Sequence, residues 1–344
     1  MGVGFAGMRS MPANPYDPLR FSGMRKNSMD NAERPAVRTQ FLVFTLFGDY
    51  VLPRGGTIWT SNLLSLLELL DVSERAARST LSRMSRKGWL TADKQGRRSR
   101  YSLTTRGWML LTQGEQRIFE PVFTEWDGLW HMVVYSLPEK KRRLRHSLRQ
   151  GLTWIGFGSL APGTWISPHN RKVEVKNLCA DLGIQKYVEV FSGTHLGFSK
   201  DQDLVKQCWD LDDLARQYRD FIKRYRPEYQ ACRGETDGQV KIPPEECFVR
   251  RFWLTHDFQS FPLKDPNLPT ALLPADWIGY EGRRLFDDYR RLLEAPANSF
   301  VDKVVGKERI GLTIDEMSRI VQRTGQLEAE DNAITISKSL LDRD

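Results

Sequence analysis

Apolar positions recur along this chain with two different periods, and the change from one to the other divides it. RTQFLVFTLF (38–47) is almost continuously apolar and predicts a buried helix ending near Gly48, followed by a loop, VLPRGGT. Over 58–71, Trp59, Leu63, Leu66, Leu67 and Leu70 fall at i, i+4, i+7, i+8 and i+11, the stripe of an amphipathic helix. Asp71-Val72-Ser73 is a turn, and Ser73 stands where a helix N-cap is favoured. Ala76 occupies the place of the Glu that would complete a capping box. The helix opened there, Glu74 to Lys87, places Ala77, Leu81 and Met84 on one face. Arg75, Arg78, Ser79, Ser82 and Arg86 lie on the opposite face, with Arg83 at its edge. Gly88 ends it. Trp89–Ala92 and Arg98–Thr104 read as two strands about a Gln95-Gly96 turn, and Thr104 or Thr105 caps a helix reaching about Phe119.

From about Trp126 the pattern changes. LWHMVVY (129–135) is a strand bounded by Gly128 and Pro138, and Glu139–Leu152 is a very basic helix. Trp154–Leu160 and Thr164–Ser167 read as strands around Ala161-Pro162-Gly163. Asn170–Leu182 is helical and Tyr187–Phe191 is a further strand. This βαββαβ order is the split pattern of a ferredoxin-like domain. Leu204–Tyr225 then predicts a long helix with charged faces, containing Trp209, Leu211, Leu214, Tyr218 and Phe221. A polar loop (235–244), a helix (245–258), a Pro-punctuated connector (262–274) and a helix to about Leu293 come next. From Glu294 the chain turns polar, which predicts a loose tail. The expected fold is thus α+β and multidomain. It comprises an extension (1–35), a winged helix-turn-helix (36–122), a ferredoxin-like domain (123–198), a helical C-terminal domain (199–294) and a tail (295–344).

Charge sharpens this picture. The net charge is +8 over 344 residues, but it is concentrated. From Ser73 to Arg100 there are nine Lys/Arg and two acids, and from Lys140 to Arg149 six Lys/Arg and no acid, leaving the remainder net negative. Focused charge favours binding sites over a general solubility role. The four cysteines, Cys179, Cys208, Cys232 and Cys247, form no Cys-x-x-Cys pair and read as reduced thiols in a cytoplasmic protein. No apolar run approaches the roughly 18 residues of a membrane span, and the first 35 residues hold no coherent signal-peptide core.

Helix, helix, turn, amphipathic helix and basic hairpin, in that order, fit a duplex. Arg75, Arg78, Ser79, Ser82, Arg83 and Arg86 can reach base edges and phosphates in a major groove. Arg97, Arg98 and Arg100 on the hairpin can lie along the backbone or enter the minor groove. The competing reading is an ordinary solvated basic helix, which leaves the ordered helix, turn and hairpin unexplained.

Six stretches carry a resemblance to the PaaX family of bacterial transcriptional regulators. They are LFGDYVLPRGGTIW (46–59), ERAARSTLSRMSRKGWL (74–90), GRRSRYSLTTRG (96–107), GFGSLAPGTWISPH (156–169), WDLDDLARQYRDF (209–221) and LPTALLPADWIGYEGRRLFDDY (268–289). They stand in family order across about 37–294. The resemblance implies the same three domains and a homodimeric repressor on a palindromic operator of double-stranded DNA. It also implies release by an aryl- or acyl-coenzyme A thioester, phenylacetyl-coenzyme A in the type case, and no cofactor. Arg142, Arg143, Arg145 and Arg149 could pair with the phosphates of such a ligand. Trp154 and Trp165 could stack on its adenine or acyl group; the alternatives are a solvated helix face or a second surface resting on DNA phosphates for the arginines, and core positions for the tryptophans.

An enzyme on the central domain, a metal-dependent nuclease or a thioester hydrolase, is the rival reading. It needs a convergent set of acids, histidines or cysteines. No pair among His131, His146, His169, His195 and His256 has metal-ligand spacing. Gly156-Phe157-Gly158 lacks the further glycine of a dinucleotide fingerprint. Asp265, Asp276 and Glu281 resemble an acid set with no assigned partner. The first central strand contains no Asp; the nearest acids are Asp127 and Glu139.

Overall fold

A computed structural model describes residues 39–108, 111, 125–233 and 242–306. The expectations for the N-terminal extension, for the helix body beyond 108, for the polar loop at 235–241 and for the tail beyond 306 lie outside these residues. The protein is a mixed α+β molecule in which helix predominates, with two small antiparallel sheets. It divides into two compact units. The first takes the described residues of 1–116, 242–253 and 293–344, and the second those of 117–241 and 254–292. Residue 199 falls inside the second unit, the chain returns to the first unit at 293, and 242–253 also belongs to the first unit.

In the first unit, α1 (Thr39–Leu46) passes without a break into a π-helical turn, Phe47–Val51, and a 3-10 turn, Leu52–Arg54. The expected loop after Gly48 is therefore largely helical. Residues 41–52 are all buried, and a buried backbone must satisfy its own N–H and C=O groups. β1 (Thr57–Trp59) comes next, a strand the sequence does not reveal because three residues are too few to show a period. Trp59, expected in the stripe of α2, ends this strand instead, and α2 runs Thr60–Glu68. α3 (Glu74–Arg86) and the strands β2 (Leu90–Gln95) and β3 (Arg98–Leu103) lie as expected. The sheet order is β1-β3-β2, with Thr57 opposite Ser102 and Asp93 opposite Arg100. Phe44, Leu46, Phe47, Leu63, Leu66, Leu67, Ala77, Leu81 and Met84 are fully buried, and the Phe44 and Trp89 rings pack 5.3 Å apart.

The second unit contains β4 (Trp130–Tyr135), α4 (Arg142–Ile155), β5 (Gly158–Ala161), β6 (Thr164–Ser167), α5 (Lys172–Leu182) and β7 (Val188–Gly193). The sheet order is β5-β6-β4-β7, with β4 antiparallel to both neighbours. Val133, Leu148, Leu152, Phe157, Trp165, Val175 and Ile184 form one core cluster drawn from the sheet and from both helices. Trp154 and Ile155, expected in a strand, instead finish α4, which stops at Gly156 in the left-handed region.

The predicted helix at 204–225 is two helices, α6 (Asp201–Cys208) and α7 (Leu211–Arg233). Trp209 breaks them: its backbone is extended and its ring stacks on Trp130 at 6.4 Å. Asp210 then accepts the Asp213 N–H at 2.9 Å, opening α7. α8 (Pro244–Phe258), a short α9 (Phe261–Lys264) and α10 (Gly279–Val305) complete the described chain. α8 and α10 supply residues to both units. α10 overruns the predicted end near Leu293. Pro296 reads as a breaker, yet Leu293, Ala297 and Val301 recur every fourth residue and are buried.

Candidate nucleic-acid interface

α3 forms where it does for reasons local to its sequence. The Ser73 hydroxyl accepts the Ala76 N–H at 3.4 Å, Glu74 sits in the first turn, and Arg83 and Arg86 sit in the last. Those charges complement the helix dipole at both ends. Gly88, with φ of 69°, turns the chain out of the helix, and Gly96, with φ of 61°, supplies the tight turn between β2 and β3. Ala77, Thr80, Leu81 and Met84 face the core. Arg75, Arg78, Ser79, Ser82, Arg83 and Arg86 are all exposed.

Their electrostatic states differ. Arg78 Nε donates to Glu74 Oε1 at 2.7 Å, an exposed pair one turn apart. Arg83 donates to the Ser79 hydroxyl at 3.1 Å and to the Thr80 hydroxyl at 2.9 Å. Arg75 and Arg86 carry no carboxylate partner among the described residues. On the hairpin, Arg97 and Arg98 are exposed, and the Arg98 guanidinium lies 5.9 Å from the Trp59 ring centre. Arg100 donates through Nε and Nη2 to Asp93 Oδ2, at 3.0 and 2.8 Å, across the strand pair. The hairpin is fastened to the helical part of the unit. Thr60 and Ser99 share a hydroxyl hydrogen bond of 2.9 Å, and Thr104 donates to the Gly88 carbonyl at 2.6 Å. Lys94, exposed on the same hairpin, adds a cation absent from the contact set expected from sequence.

The second predicted set does not assemble. Trp165, 6% exposed, lies inside the core cluster and is unavailable for stacking on a ligand. Arg145 is bonded to Glu139 at 3.1 Å and to the Leu137 carbonyl at 2.8 Å. Arg142, Arg143 and Arg149 are exposed along α4, and Trp154 is half-buried.

The suspected acids also have structural partners. Asp127 accepts the Leu129 N–H at 2.9 Å, and Glu281 pairs with Arg226. Asp265 accepts from the Tyr218 hydroxyl at 2.9 Å and the Asn267 N–H at 2.8 Å, and burial pushes its carboxyl above the ordinary range. His169 shares a 2.7 Å hydrogen bond with the Asn267 carbonyl, and burial holds its pKa below the usual value. Among the described residues no three His, Cys, Asp or Glu side chains converge as metal ligands, and no helix is long and apolar enough to cross a membrane.

An exposed row of arginines and serines on a helix, beside a basic hairpin, is the surface that a DNA-binding regulator of transcription presents. The chain belongs to the PaaX family. Family models match in order: PaaX-like protein over 38–107, PaaX protein central Cas2-like domain over 124–205, and PaaX-like protein C-terminal domain over 209–303. The chain is 33% identical over 297 residues to the transcriptional repressor PaaX of Escherichia coli, covering 85% of this chain and 92% of that one. It also resembles the solved structure of the uncharacterized protein Rv0674 from Mycobacterium tuberculosis, with a TM-score of 0.52 and 24% identity, over 78% of this chain and 98% of that one. The curated relative is a transcriptional repressor.

Proposed function

We propose that this protein is a cytoplasmic, homodimeric repressor that binds double-stranded operator DNA and is released by an aryl- or acyl-coenzyme A thioester such as phenylacetyl-coenzyme A. In this reading the N-terminal part is a winged helix-turn-helix, with α3 in the major groove and the β2–β3 hairpin as the wing. The observation that carries it is the exposed Arg/Ser face of α3 beside that hairpin. Arg75, Arg78, Ser79, Ser82, Arg83 and Arg86 contact bases and phosphates, while Arg97, Arg98 and Arg100 hold the backbone.

The βαββαβ order and antiparallel sheet support a ferredoxin-like central domain, and its edge supports a dimer. β7 ends the sheet and exposes Val190 and Phe191, 41% and 52% accessible. It holds no Pro or Lys of the kind that protects an edge. An edge pairing antiparallel with its own copy closes after two protomers and suits a palindromic site. The thioester acts by preferring the dimer geometry whose reading heads no longer match the operator, since a ligand with equal affinity for both states shifts nothing.

A gel-shift titration on the DNA upstream of the protein's own gene tests the whole reading. Release by phenylacetyl-coenzyme A, but not by coenzyme A or phenylacetate, is the expected result. Binding that no thioester reverses discards the effector; no duplex binding at moderate salt discards the reader.

A further inference from the structure

α7 carries six basic residues, and the fold treats them unequally. Arg216 pairs with Asp213, Arg226 with Glu281, and Arg224 with Asp257 at 3.2 Å. Arg219 and Lys223, one helical turn apart and both exposed, have no carboxylate partner among the described residues, and neither does Arg233 at the end of the helix. Arg219 and Lys223, together with Arg226, line a depression of about 330 Å³ whose apolar lining includes Ile222, Pro227 and Ile278. That volume lies at the lower end of small-molecule sites.

We infer that this groove on α7 binds an organic phosphate bearing at least two anionic groups and an apolar part. The spacing sets the number of charges. Arg219 and Arg226 are seven residues apart, about 10 Å along the helix axis, farther than one phosphate reaches. Glu281 already neutralises Arg226, so Arg219 and Lys223 supply the net charge and Arg226 lends remaining N–H donors. The Ile222, Pro227 and Ile278 surface takes the apolar portion. The thioester proposed above belongs to this ligand class; in identifying the groove as the effector's seat, the inference rests on that reading.

The test is isothermal titration of the full-length protein with phenylacetyl-coenzyme A, coenzyme A, ATP and pyrophosphate. Wild type is compared with R219E/K223E and with R142E/R143E, and a thermal melt checks that each is folded. The expected result is that R219E/K223E weakens the tightest-binding probe by roughly tenfold or more. R142E/R143E leaves it unchanged, and neither moves duplex affinity beyond about twofold. Equal binding by wild type and R219E/K223E overturns the site, as does a wild type that binds no probe. Loss of duplex affinity without loss of probe binding reassigns the groove to DNA phosphates and overturns it too. If ATP or coenzyme A binds in the groove and the thioester does not, the site stands and the effector reading falls.

Discussion

Arg251→Met removes a guanidinium that is only 2% exposed in the first unit's core, and its surroundings set the cost. Arg251 Nη1 stands 3.7 Å from Asp49 Oδ2, whose side chain is 3% exposed, and the guanidinium lies 5.2 Å from the centre of the fully buried Tyr50 ring. Burial alone would lower the arginine's pKa, but Asp49, Tyr50 and Glu294 push it up, so the arginine keeps its charge. Glu294, at 3.9 Å and half exposed, is screened by solvent and adds little. The cost therefore comes from Asp49, left as a buried charge without its cation: about 3–5 kcal/mol. For a unit of this size, each kcal/mol moves the melting midpoint by about 2–4 °C, so R251M should melt roughly 10 °C lower. The combined D49L/R251M variant removes both charges and should recover most of that loss. Differential scanning calorimetry of the three proteins decides it. A shift under about 3 °C for R251M, or a double variant no better than the single one, would refute the reasoning.

Four further outcomes are expected. Arg75→Ala and Arg86→Ala, which remove arginines with no carboxylate partner among the described residues, should each weaken duplex binding by about 1–3 kcal/mol if the residue reads a base; unchanged affinity in a filter-binding titration removes α3 from the groove. Arg97→Ala should lower the slope of log affinity against log salt by about 1, whereas Arg100→Ala should lower it less, because Asp93 already neutralises that charge; equal slopes contradict the pairing. Phe191→Glu should convert the proposed dimer to a monomer in sedimentation, and a persisting dimer moves the interface away from β7. His169 titrates below its ordinary value of 6.5, so the unfolded chain takes up a proton that the buried ring refuses. Its stabilising contribution is complete above pH 6.5 and declines as pH falls through the folded value; a urea midpoint for H169N as steep in pH as wild type below 6.5 contradicts this.

How much was legible beforehand depended on length and on burial. α3 could be read almost to the residue, because thirteen residues with one apolar face, a capping serine and a terminal glycine agree on its ends. β1 could not, since its three residues carry no period and its pairing partner, Arg100–Ser102, is remote in sequence. The split at Trp209 was hidden for a related reason: the break is imposed by a ring stacking on Trp130, a contact between distant residues. Trp165 shows the limit on site prediction. Its place in a family-like motif suggested a ligand, while its burial among Leu148, Leu152 and Val175 reserves it for the core. α10 beyond Glu294 failed through composition, for the Pro and polar residues around Ala297 and Val301 mask an apolar repeat that is buried.

Pairing and surface shape distinguish two kinds of anion site among these arginines. On α3 and the hairpin, the charges that face solvent are spread along both elements, and two of them, Arg78 and Arg100, are held in place by Glu74 and Asp93. Such exposed pairs are worth little, so an arriving phosphate displaces the carboxylate at small cost while the guanidinium stays near its working position. An extended polyanion, taking one contact from each of many residues, is what that arrangement fits. On α7 three cations have no carboxylate partner among the described residues, Arg219, Lys223 and Arg233, and the first two line an apolar concavity. Few charges cannot hold a duplex against salt, but beside apolar surface they can select a small molecule that carries both features. Concavity and the ratio of cations to apolar lining, more than charge alone, therefore separate a site that reads from a site that responds.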